Sequence, residues 1–585
     1  MSSLGSFVWS IADQLRGPFK PHQYGDVILP MTILRRLDGI MSAHHDAIAE
    51  VLTTTDSDEL REVRVRQKTG LGFYNTTPWT FTRLLGDPQG LQANLIDFIS
   101  GFSRTIDVFD RFKFEDQIEA LAESNRLLIV MQRFADVDLS PEKLPNAAMG
   151  DLFEELIRKF AEASNETAGE HFTPRDAIRL IVDLLFAGDD KALVEPGVVR
   201  SIYDPTAGTG GMLSVAEEHL VGTAEHVGLN PQARLRLYGQ EINPQSYAIC
   251  KSDMIAKGQD ATNIRLGNTL SDDLFAGQHF DYALSNPPYG VDWKASQAAV
   301  KAHVQDAGEH SRFPGGLPPI SDGQMLFLQH LATKMRPVHE GGGRAGIVLN
   351  GSPLFTGAAE SGPSQIRRWL LEHDLVDAIV ALPTNMFYNT GIATYVWLLD
   401  NKKSADRIGT VQLIDGTSFW SKLRKNLGQK NREVSENDRA EIVRLYDEHL
   451  ESKHSKIFPT SAFGYWTITV ERPLRDEDGE IVRDRKGNAK PDARLRDTEN
   501  VPFTWGGNGA GEDARDAVIQ QYFEAEVLPH VPDAWVDSAK TKVGYEIPFT
   551  RHFYEYVPPR PLEEIHAELN QLVGEIMELL REVER

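Results

Sequence analysis

Hydrophobic and polar positions divide the chain into three regions of different periodicity. Up to about residue 160, apolar side chains recur at helical spacing, as in Val27, Ile28, Met31, Leu34 and Leu37, which predicts an all-helical region. Beyond about residue 198, short β-rich runs alternate with helical stretches, which is typical of a doubly wound α/β sheet. Seven runs are predicted as strands: 198–203, 234–239, 263–266, 280–284, 344–349, 376–382 and 394–399.

The third region, from about residue 466, is polar and rich in turn residues before it ends in a helix. Asp478-Gly479 and Lys486-Gly487-Asn488 punctuate a segment that is predicted as a charged hairpin. In the final helix, apolar residues follow steps of three and four, the a/d pattern of a helix that pairs with another helix. This seam consists of Leu562, Ile565, Leu569, Leu572, Ile576, Leu579 and Val583. A partner helix is the favoured contact, and packing onto the same chain is the alternative.

These regions predict three domains, because 585 residues are too many for one ordinary core. They are a helical N-terminal domain (1–160), an α/β domain (161–465) and a C-terminal region that ends in a helical tail (466–585).

The formal net charge of -24 limits how the chain can meet a polyanion. An acidic surface repels a phosphate backbone, so a nucleic-acid enzyme of this composition needs a segregated basic patch, a DNA-binding partner or both. Cys250, the one cysteine, excludes a disulfide framework or a Cys-rich zinc site and is expected in the core. Without a bilayer-spanning apolar run or a secretory signal, the chain is expected to be cytoplasmic.

A glycine-rich turn follows the first predicted strand and precedes a helical run. It reads Asp204-Pro-Thr-Ala-Gly208-Thr209-Gly210-Gly211. A strand, a glycine turn and a helix form the first unit of a nucleotide-binding sheet, where missing side chains let a ligand approach the backbone. The turn lacks the Gly-Lys-Ser/Thr ending of a phosphate-binding loop. Taken alone, it is equally consistent with an ordinary tight loop.

Two polar residues follow the next two predicted strands. Glu241 is placed to accept hydrogen bonds from both hydroxyl groups of a ribose. Asn268 is a candidate for hydrogen bonding to an adenine ring, although a turn at the end of a strand explains it equally well. The glycine turn and Glu241, in order at the ends of successive strands, favour a cofactor that contains adenosine.

The fourth predicted strand ends at Asn286-Pro287-Pro288-Tyr289. The amide oxygen of Asn286 and the carbonyl oxygen of Pro287 can each accept one N–H of an exocyclic amino group, which frees the nitrogen lone pair for attack on a methyl donor. The prolines stiffen the loop, and Tyr289 offers a face for stacking on the target base. No metal is required. An adenine in a duplex must first be flipped out to reach such a pocket. A rigid turn is the alternative interpretation.

These motifs, in this order, resemble the adenine N6 class of DNA methyltransferases. In that class a further cofactor motif precedes the glycine turn, and residues 169–175 look like it. The whole chain resembles the modification subunits of type I restriction-modification systems, through its helical N-terminal domain and four further stretches. These are Arg312-Phe-Pro-Gly-Gly316, Ser321-Asp-Gly-Gln324, Leu423-Arg-Lys-Asn-Leu-Gly428 and Phe549-Thr-Arg-His-Phe-Tyr554.

The resemblance implies a Rossmann-like methyltransferase sheet, S-adenosylmethionine as the cofactor and double-stranded DNA with a flipped adenine as the substrate. It also implies a specificity subunit, a motor-nuclease restriction subunit and a second copy of this chain as partners. The cofactor contacts implied are Glu170, His171, Phe172, Thr173, Pro174, Arg175, Thr209, Gly210, Gly211 and Glu241. Asn268 departs from the acidic residue that is often found there in related methyltransferases.

A basic run without acidic residues is the candidate for phosphate contact, with a solvated loop as the alternative. It contains Lys422, Arg424, Lys425, Lys430 and Arg432.

The competing functions are methylation of RNA or of protein glutamine, since Asn-Pro-Pro-Tyr suits any planar amino or amide nitrogen, and a standalone methyltransferase. A non-catalytic scaffold with a methyltransferase fold is the remaining alternative.

Overall fold

The structure is a computed structural model in which certain ranges of the chain are described. These are residues 11–145, 173–222, 227–388, 390–427, 429–507, 514–554 and 561–583, with the isolated residues 148, 149, 152, 153, 156, 159 and 556. The chain forms two compact units, Met1–Ile547 and Pro548–Arg585. Within the described ranges, no helix is long and apolar enough to cross a membrane. No group of three or more His, Cys, Asp or Glu side chains in the same ranges is arranged to hold a metal ion.

The N-terminal region is helical, as the periodicity predicts. Its helices are α1 (Tyr24–Ser42), α2 (His45–Thr54), α3 (Asp58–Thr69), α4 (Phe81–Leu85), α5 (Leu91–Ser100), α6 (Val108–Arg111), α7 (Phe114–Glu123) and α8 (Leu127–Ala135). Val27, Met31 and Leu34 of α1 are buried in a core that also takes in Ala248 and Ile249 of the α/β region. The helical region is therefore packed directly onto the sheet domain.

A nine-stranded sheet forms the centre of the α/β region. Its strands are β1 (Val199–Asp204), β2 (Arg234–Glu241), β3 (Ile264–Leu266), β4 (Tyr282–Ser285), β5 (Arg344–Asn350), β6 (Val376–Ala381), β7 (Thr394–Asp400), β8 (Thr410–Asp415) and β11 (Ser455–Pro459). Two more strands, β9 (Ser421–Leu427) and β10 (Lys430–Glu433), pair with each other as a separate hairpin. The order across the sheet is β11-β8-β6-β7-β5-β4-β1-β2-β3.

All seven predicted strands are present, and their direction places most loops that follow them on one edge. Strands β1 to β5 pair in parallel, and β7 is inserted antiparallel between β5 and β6, so β6 again runs parallel to β5. The carboxyl ends of β1, β2, β3, β4, β5 and β6 therefore share one edge of the sheet. Strands β8 and β11 extend the sheet beyond the seven that were predicted.

Helices cover both faces of the sheet, which confirms the doubly wound α/β architecture. They are α9 (Arg175–Ala187), α10 (Gly211–Val221), α11 (Pro244–Ala256), α12 (Gln297–Ala307), α13 (Gln324–Lys334), α14 (Gly362–Glu372) and α15 (Glu436–Glu448), with the short helices Asp190–Leu193 and Ser352–Phe355. On one face, Ile202 is buried with Ile181 of α9 and Leu213 of α10. On the other face, the Tyr203 ring stacks on Phe280 and meets His330 of α13 edge-on.

A smaller sheet follows in the C-terminal region of the first unit. Its strands are β12 (Gly464–Glu471), β13 (Asp497–Pro502), β14 (Trp535–Val536) and β15 (Lys542–Tyr545), and helix α16 spans Arg515–Tyr522. In place of a single charged hairpin, the segment between β12 and β13 has two successive tight turns of the same form. The Arg475 guanidinium donates to the Gly479 carbonyl over 2.9 Å, and Arg483 donates to Gly487 over the same distance.

The second unit contains the short helix Phe549–His552 and the predicted terminal helix, α17 (Leu562–Val583). The apolar positions of its heptad seam from Leu562 to Ile576 are between 39% and 72% exposed. The side chains of Leu579 and Val583 lie outside the described residues. Over this stretch, the seam is thus a continuous apolar stripe in contact with solvent, as expected of a helix that binds another chain.

Candidate active site

The predicted cofactor and catalytic loops converge at the carboxyl edge of the sheet. They follow β1, β2, β3 and β4, whose parallel pairing places their ends side by side. Ligands of open α/β sheets bind in this position. Most of the site residues predicted from the sequence therefore lie in adjoining loops.

The glycine turn after β1 has a backbone that requires glycine at two positions. Gly208 and Gly210 have φ angles of 53° and 80°, in the left-handed region. A Cβ atom on Gly210 would lie 2.6 Å from the Sγ atom of Cys250, so there is no room for a larger residue. Cys250 is buried in the core, as predicted, and packs under the turn. Gly211 begins α10, whose first N–H groups are directed at the edge of the sheet.

The carboxylate of Glu241 joins the loops after β1 and β2. It accepts hydrogen bonds from the backbone N–H groups of Gly208 at 2.8 Å and of Asn243 at 2.7 Å. The two bonds fix the carboxylate beside the glycine turn, and its contact with a ribose stays a prediction.

Asp204 is buried at the start of the glycine turn. Burial raises the pKa of its carboxyl group to about 7, the backbone N–H of Thr206 opposes this, and the nearby charge of Glu241 adds to it. Its Oδ1 atom accepts hydrogen bonds from the Thr206 backbone N–H and hydroxyl. With this pKa, the Asp204 carboxyl group is only partly ionised near neutral pH.

We expect Asp204 to make the stability of the cofactor-free protein depend on pH. Its folded pKa of about 7 lies above the ordinary value of 3.8, so its stabilisation is complete below about pH 4 and is lost as the pH rises through 7. The loss is on the order of 4 kcal/mol, at roughly 1.4 kcal/mol per pKa unit. Asp204→Asn has a similar shape and does not ionise. Thermal unfolding from pH 5 to 8 should therefore show a steeper decline for the wild type; parallel curves would contradict this assignment.

Asn268 forms a turn after β3. Its Oδ1 atom accepts the backbone N–H of Leu270, and its Nδ2 atom donates to the Ser296 hydroxyl, each over 3.0 Å. These bonds use one N–H and one lone pair, so a contact with an adenine ring would involve the other N–H or the second lone pair of Oδ1. The geometry supports the turn interpretation, and the adenine contact stays a prediction.

Asn286 is held at both ends of its carboxamide. Its Nδ2 atom donates to the Thr173 hydroxyl over 2.9 Å, and its Oδ1 atom accepts the Tyr289 hydroxyl over 2.5 Å. Because Thr173 accepts from the amide nitrogen, the amide oxygen is the atom that faces the Tyr289 side. Pro287 is buried and Pro288 is exposed. The loop therefore presents a fixed acceptor oxygen next to an aromatic ring.

Two contacts of this site were not predicted from the sequence. The Tyr289 ring meets the Phe387 ring edge-on, with centroids 6.3 Å apart. The Ser285 and Thr206 hydroxyl groups lie 2.6 Å apart and connect the catalytic loop to the glycine turn. Phe387 is buried in the core of the α/β region, and its signal in the sequence was an aromatic residue in the loop that follows a predicted strand.

The motif at 169–175 is only partly described. Glu170, His171 and Phe172 lie outside the described residues, so their predicted cofactor contacts stay predictions. Pro174 is buried as the N-cap residue of α9, and Arg175 is the first residue of that helix. The described part of the motif leads into α9, and its Thr173 contacts Asn286.

The basic run lies on the β9–β10 hairpin. Lys422 and Arg424 are exposed, and the side chain of Lys425 lies outside the described residues. The Arg432 guanidinium lies 4.0 Å from the centroid of the Trp420 ring and donates to the Thr384 hydroxyl. Lys430 is buried, and its ammonium group lies 2.8 Å from a carboxylate oxygen of Asp176. Its charge is paired inside the protein, so Lys430 does not belong to the proposed phosphate contacts.

The sheet order, the glycine turn, Glu241 and the Asn-Pro-Pro-Tyr loop together define a Rossmann-like methyltransferase that acts on amino nitrogen. Family models agree with this class. The model for N-6 DNA Methylase matches residues 145–463, and that for the HsdM N-terminal domain matches residues 4–134. The chain belongs to the N-6 DNA Methylase family, and it is an adenine-specific DNA methyltransferase of the type I restriction-modification class.

Similar proteins include curated type I methylase subunits. The MjaIX methylase subunit of Methanocaldococcus jannaschii is 26% identical over 441 residues, which cover 71% of this chain and 72% of that protein. The MpnII methylase subunit of Mycoplasma pneumoniae is 29% identical over 307 residues, or 50% and 51% of the two chains. The crystal structure of a type I methyltransferase subunit from Streptococcus thermophilus has the same fold, with a TM-score of 0.60, 24% identity, and coverage of 78% and 95%.

Proposed function

We propose that this chain transfers a methyl group from S-adenosylmethionine to the N6 atom of a flipped adenine in double-stranded DNA. It does so as the modification subunit of a complex with a specificity subunit, a second copy of itself and, for restriction, a motor-nuclease subunit. The observation that carries the proposal is the Asn286 carboxamide, fixed by Thr173 so that its oxygen faces Tyr289 beside the glycine turn.

The residues at the glycine turn fit S-adenosylmethionine. Gly208 and Gly210 give the turn its left-handed backbone, and the buried Glu241 carboxylate is fixed beside it as the proposed acceptor for the ribose hydroxyl groups. Glu170 to Arg175, Asp204, Thr209 and Gly211 complete the proposed contacts. When bound, the cofactor supplies an electrophilic methyl group on a sulfonium centre.

Asn286 and Pro287 prepare the amino group for attack. The Asn286 oxygen has two lone pairs, so it can accept an adenine N–H in addition to, or in exchange for, the Tyr289 hydroxyl. The Pro287 carbonyl accepts the second N–H. With both hydrogens held, the nitrogen lone pair leaves conjugation with the ring and points toward the methyl donor. The Tyr289 ring, which packs edge-on against the buried Phe387, is the proposed stacking face for the extruded base, and positioning then accounts for most of the rate.

The β9–β10 hairpin is the proposed site of phosphate contact. It is bonded to the loop that contains Phe387: Gln429 donates its backbone N–H to the Tyr388 carbonyl over 2.9 Å, and Asn431 donates to the Asn385 carbonyl over 3.1 Å. The exposed Lys422 and Arg424 therefore lie on an element that adjoins the base pocket. A basic hairpin at this place offsets part of the repulsion from an acidic chain.

Replacing Lys422 and Arg424 together with alanine is expected to weaken DNA binding at all sequences alike. The slope of log Kd against log salt should fall by about two, at roughly 0.9 for each phosphate that is no longer neutralised. Filter binding across a salt series measures it. A matched control removes Arg234 and Arg236, two exposed cations at the opposite edge of the sheet, where β2 begins. Equal slopes for the two double variants would exclude the hairpin as a DNA contact.

The proposed function is tested by finding where the methyl group goes. The complex is purified with its co-expressed partners and incubated with methyl-labelled cofactor and host DNA, RNA and protein. Label recovered as N6-methyladenine in DNA supports the proposal, and methylation-sensitive sequencing with and without the gene then gives the target site. Label in RNA or in protein glutamine would select the competing enzyme function. Absence of cofactor binding in calorimetry would favour a non-catalytic scaffold.

A further inference from the structure

Two loops from distant parts of the chain meet at the Asn-Pro-Pro-Tyr motif. One is the loop that contains Asn286, which is bonded to Thr173 and Tyr289. The other is the loop after β6, whose buried Phe387 packs edge-on against the Tyr289 ring. A ring contact of this kind does not by itself fix how the two loops lie against each other.

An ion pair connects the elements that hold these two loops, helix α9 and strand β10. The Lys430 ammonium group lies 3.0 and 2.8 Å from the two carboxylate oxygens of Asp176, and it also donates to the Arg432 carbonyl over 2.9 Å. Asp176 belongs to the first turn of α9, three residues after Thr173. Lys430 begins β10, whose neighbours Gln429 and Asn431 bond to the Phe387 loop. A continuous series of contacts thus links Asn286 to the Phe387 loop through α9 and β10.

The local geometry of the β9–β10 hairpin directs the Lys430 side chain toward Asp176. Strand β10 has a register shift between Lys430 and Arg432, the mark of a bulge. A bulge redirects a side chain and occurs often beside active sites. Here Lys430 points into the protein with a side chain only 4% exposed, while Lys422 and Arg424 of the paired strand remain in solvent. Asp176 also accepts the backbone N–H of Val434 over 3.0 Å, so the carboxylate holds both ends of β10.

The energetics of burial argue against a purely stabilising role for the Lys430–Asp176 ion pair. Removing two charges from water costs about as much as their attraction returns, so buried ion pairs contribute little net stability. Their geometric demand is strong, because a displaced partner leaves an uncompensated charge. We infer that Lys430 and Asp176 are positioning residues for methyl transfer, which together hold the Phe387 loop against the loop that contains Asn286 and Tyr289. This inference rests on the proposed function.

The test compares three substitutions in the complete complex. Lys430→Met removes the ammonium group and keeps the length of the side chain. Asp176→Asn removes the charge and keeps acceptors for Val434 and Lys430, so it remains informative if the first variant does not fold. The matched control is Lys403→Met: Lys403 is 2% exposed and lies 2.6 Å from an Asp374 oxygen, at the opposite edge of the sheet.

Both site variants are expected to lower kcat by about tenfold to a hundredfold, the cost of a displacement near 1 Å. In Lys430→Met the cofactor Kd should change less than about twofold, since the Lys430 side chain bonds to Asp176 and Arg432 and not to the glycine turn. In both variants, 2-aminopurine at the target position should fluoresce less on binding because the flipped base is held less well. The double variant should be no worse than the more affected single variant, as for two residues acting through one contact. Lys403→Met should have wild-type kcat at a comparable loss of Tm.

Wild-type kcat and fluorescence in Lys430→Met, or an equal loss of kcat in Lys403→Met, would overturn the inference. The inference would also be overturned if the loss of kcat in the double variant equalled the product of the losses in the two single variants. Failure of the proposed function is distinguishable, because the wild-type complex would then transfer no methyl group to adenine in the same assay.

Discussion

Asn286→Ala is expected to lower kcat for adenine methylation by about a thousandfold or more, the effect of removing a positioned polar group that acts in the transition state. The alanine removes the acceptor for one adenine N–H and leaves the Thr173 and Tyr289 hydroxyl groups without their shared partner. The Kd for S-adenosylmethionine should change by less than about threefold, because the glycine turn and Glu241 do not depend on the amide. Single-turnover methylation and calorimetry measure the two quantities.

A matched control separates this role from general damage to the fold. Asn401 also uses both ends of its carboxamide, accepting from the Gly343 backbone N–H and donating to the Arg336 carbonyl, each over 2.9 Å. It follows β7 at the opposite edge of the sheet. Asn401→Ala should lose stability and retain kcat. Full activity in Asn286→Ala would refute the catalytic assignment, whatever the control shows.

The strands could be predicted because local pattern determines them. Each of β1 to β7 carries an apolar or alternating run, and each lies within two residues of its predicted bounds at either end. The antiparallel insertion of β7 between β5 and β6 could not be predicted, since strand order depends on tertiary packing. Strand β11 was missed because it is a half-buried edge strand of mixed apolar and polar positions, whereas the strand-like pattern of β8, Thr-Val-Gln-Leu-Ile-Asp, was not recognised.

The site residues show the same difference between what the local sequence pattern determines and what tertiary packing determines. The glycine turn, Glu241 and Asn286 follow predicted strands, so their convergence could be inferred from sheet topology alone. The contacts that orient them join residues far apart in sequence, as Thr173 does with Asn286 and Asp176 with Lys430. Lys430 shows the limit of reasoning from composition. Within a run of basic residues it was expected to meet phosphate, yet the bulge in β10 turns its side chain toward the partly buried carboxylate of Asp176.

Deleting residues 561–585 is expected to abolish stable assembly with the specificity subunit. Helix α17 exposes a heptad seam over Leu562–Ile576, and burying each such side chain against a partner contributes about 1.5–3 kcal/mol. The methyltransferase region lies in the other compact unit, so cofactor binding should persist with a Kd near that of the full chain. Size exclusion of the co-expressed subunits measures assembly, and calorimetry measures the cofactor. A complex of unchanged size after the deletion would exclude this helix as the attachment.

Charged substitutions on or beside the seam distinguish specific helix pairing from non-specific hydrophobic association. Leu569→Glu with Leu572→Glu puts two carboxylates on the seam, where they would lose hydration on pairing, so the complex should dissociate as fully as after the deletion. Asn570→Glu with Gln571→Glu adds the same charge beside the seam on the same helix and should leave assembly intact. If the two double variants assemble equally well, or fail equally, the a/d stripe is not the contact. If only the seam variant fails, the apolar stripe of α17 is the surface that recruits the DNA-reading subunit to an acidic methyltransferase.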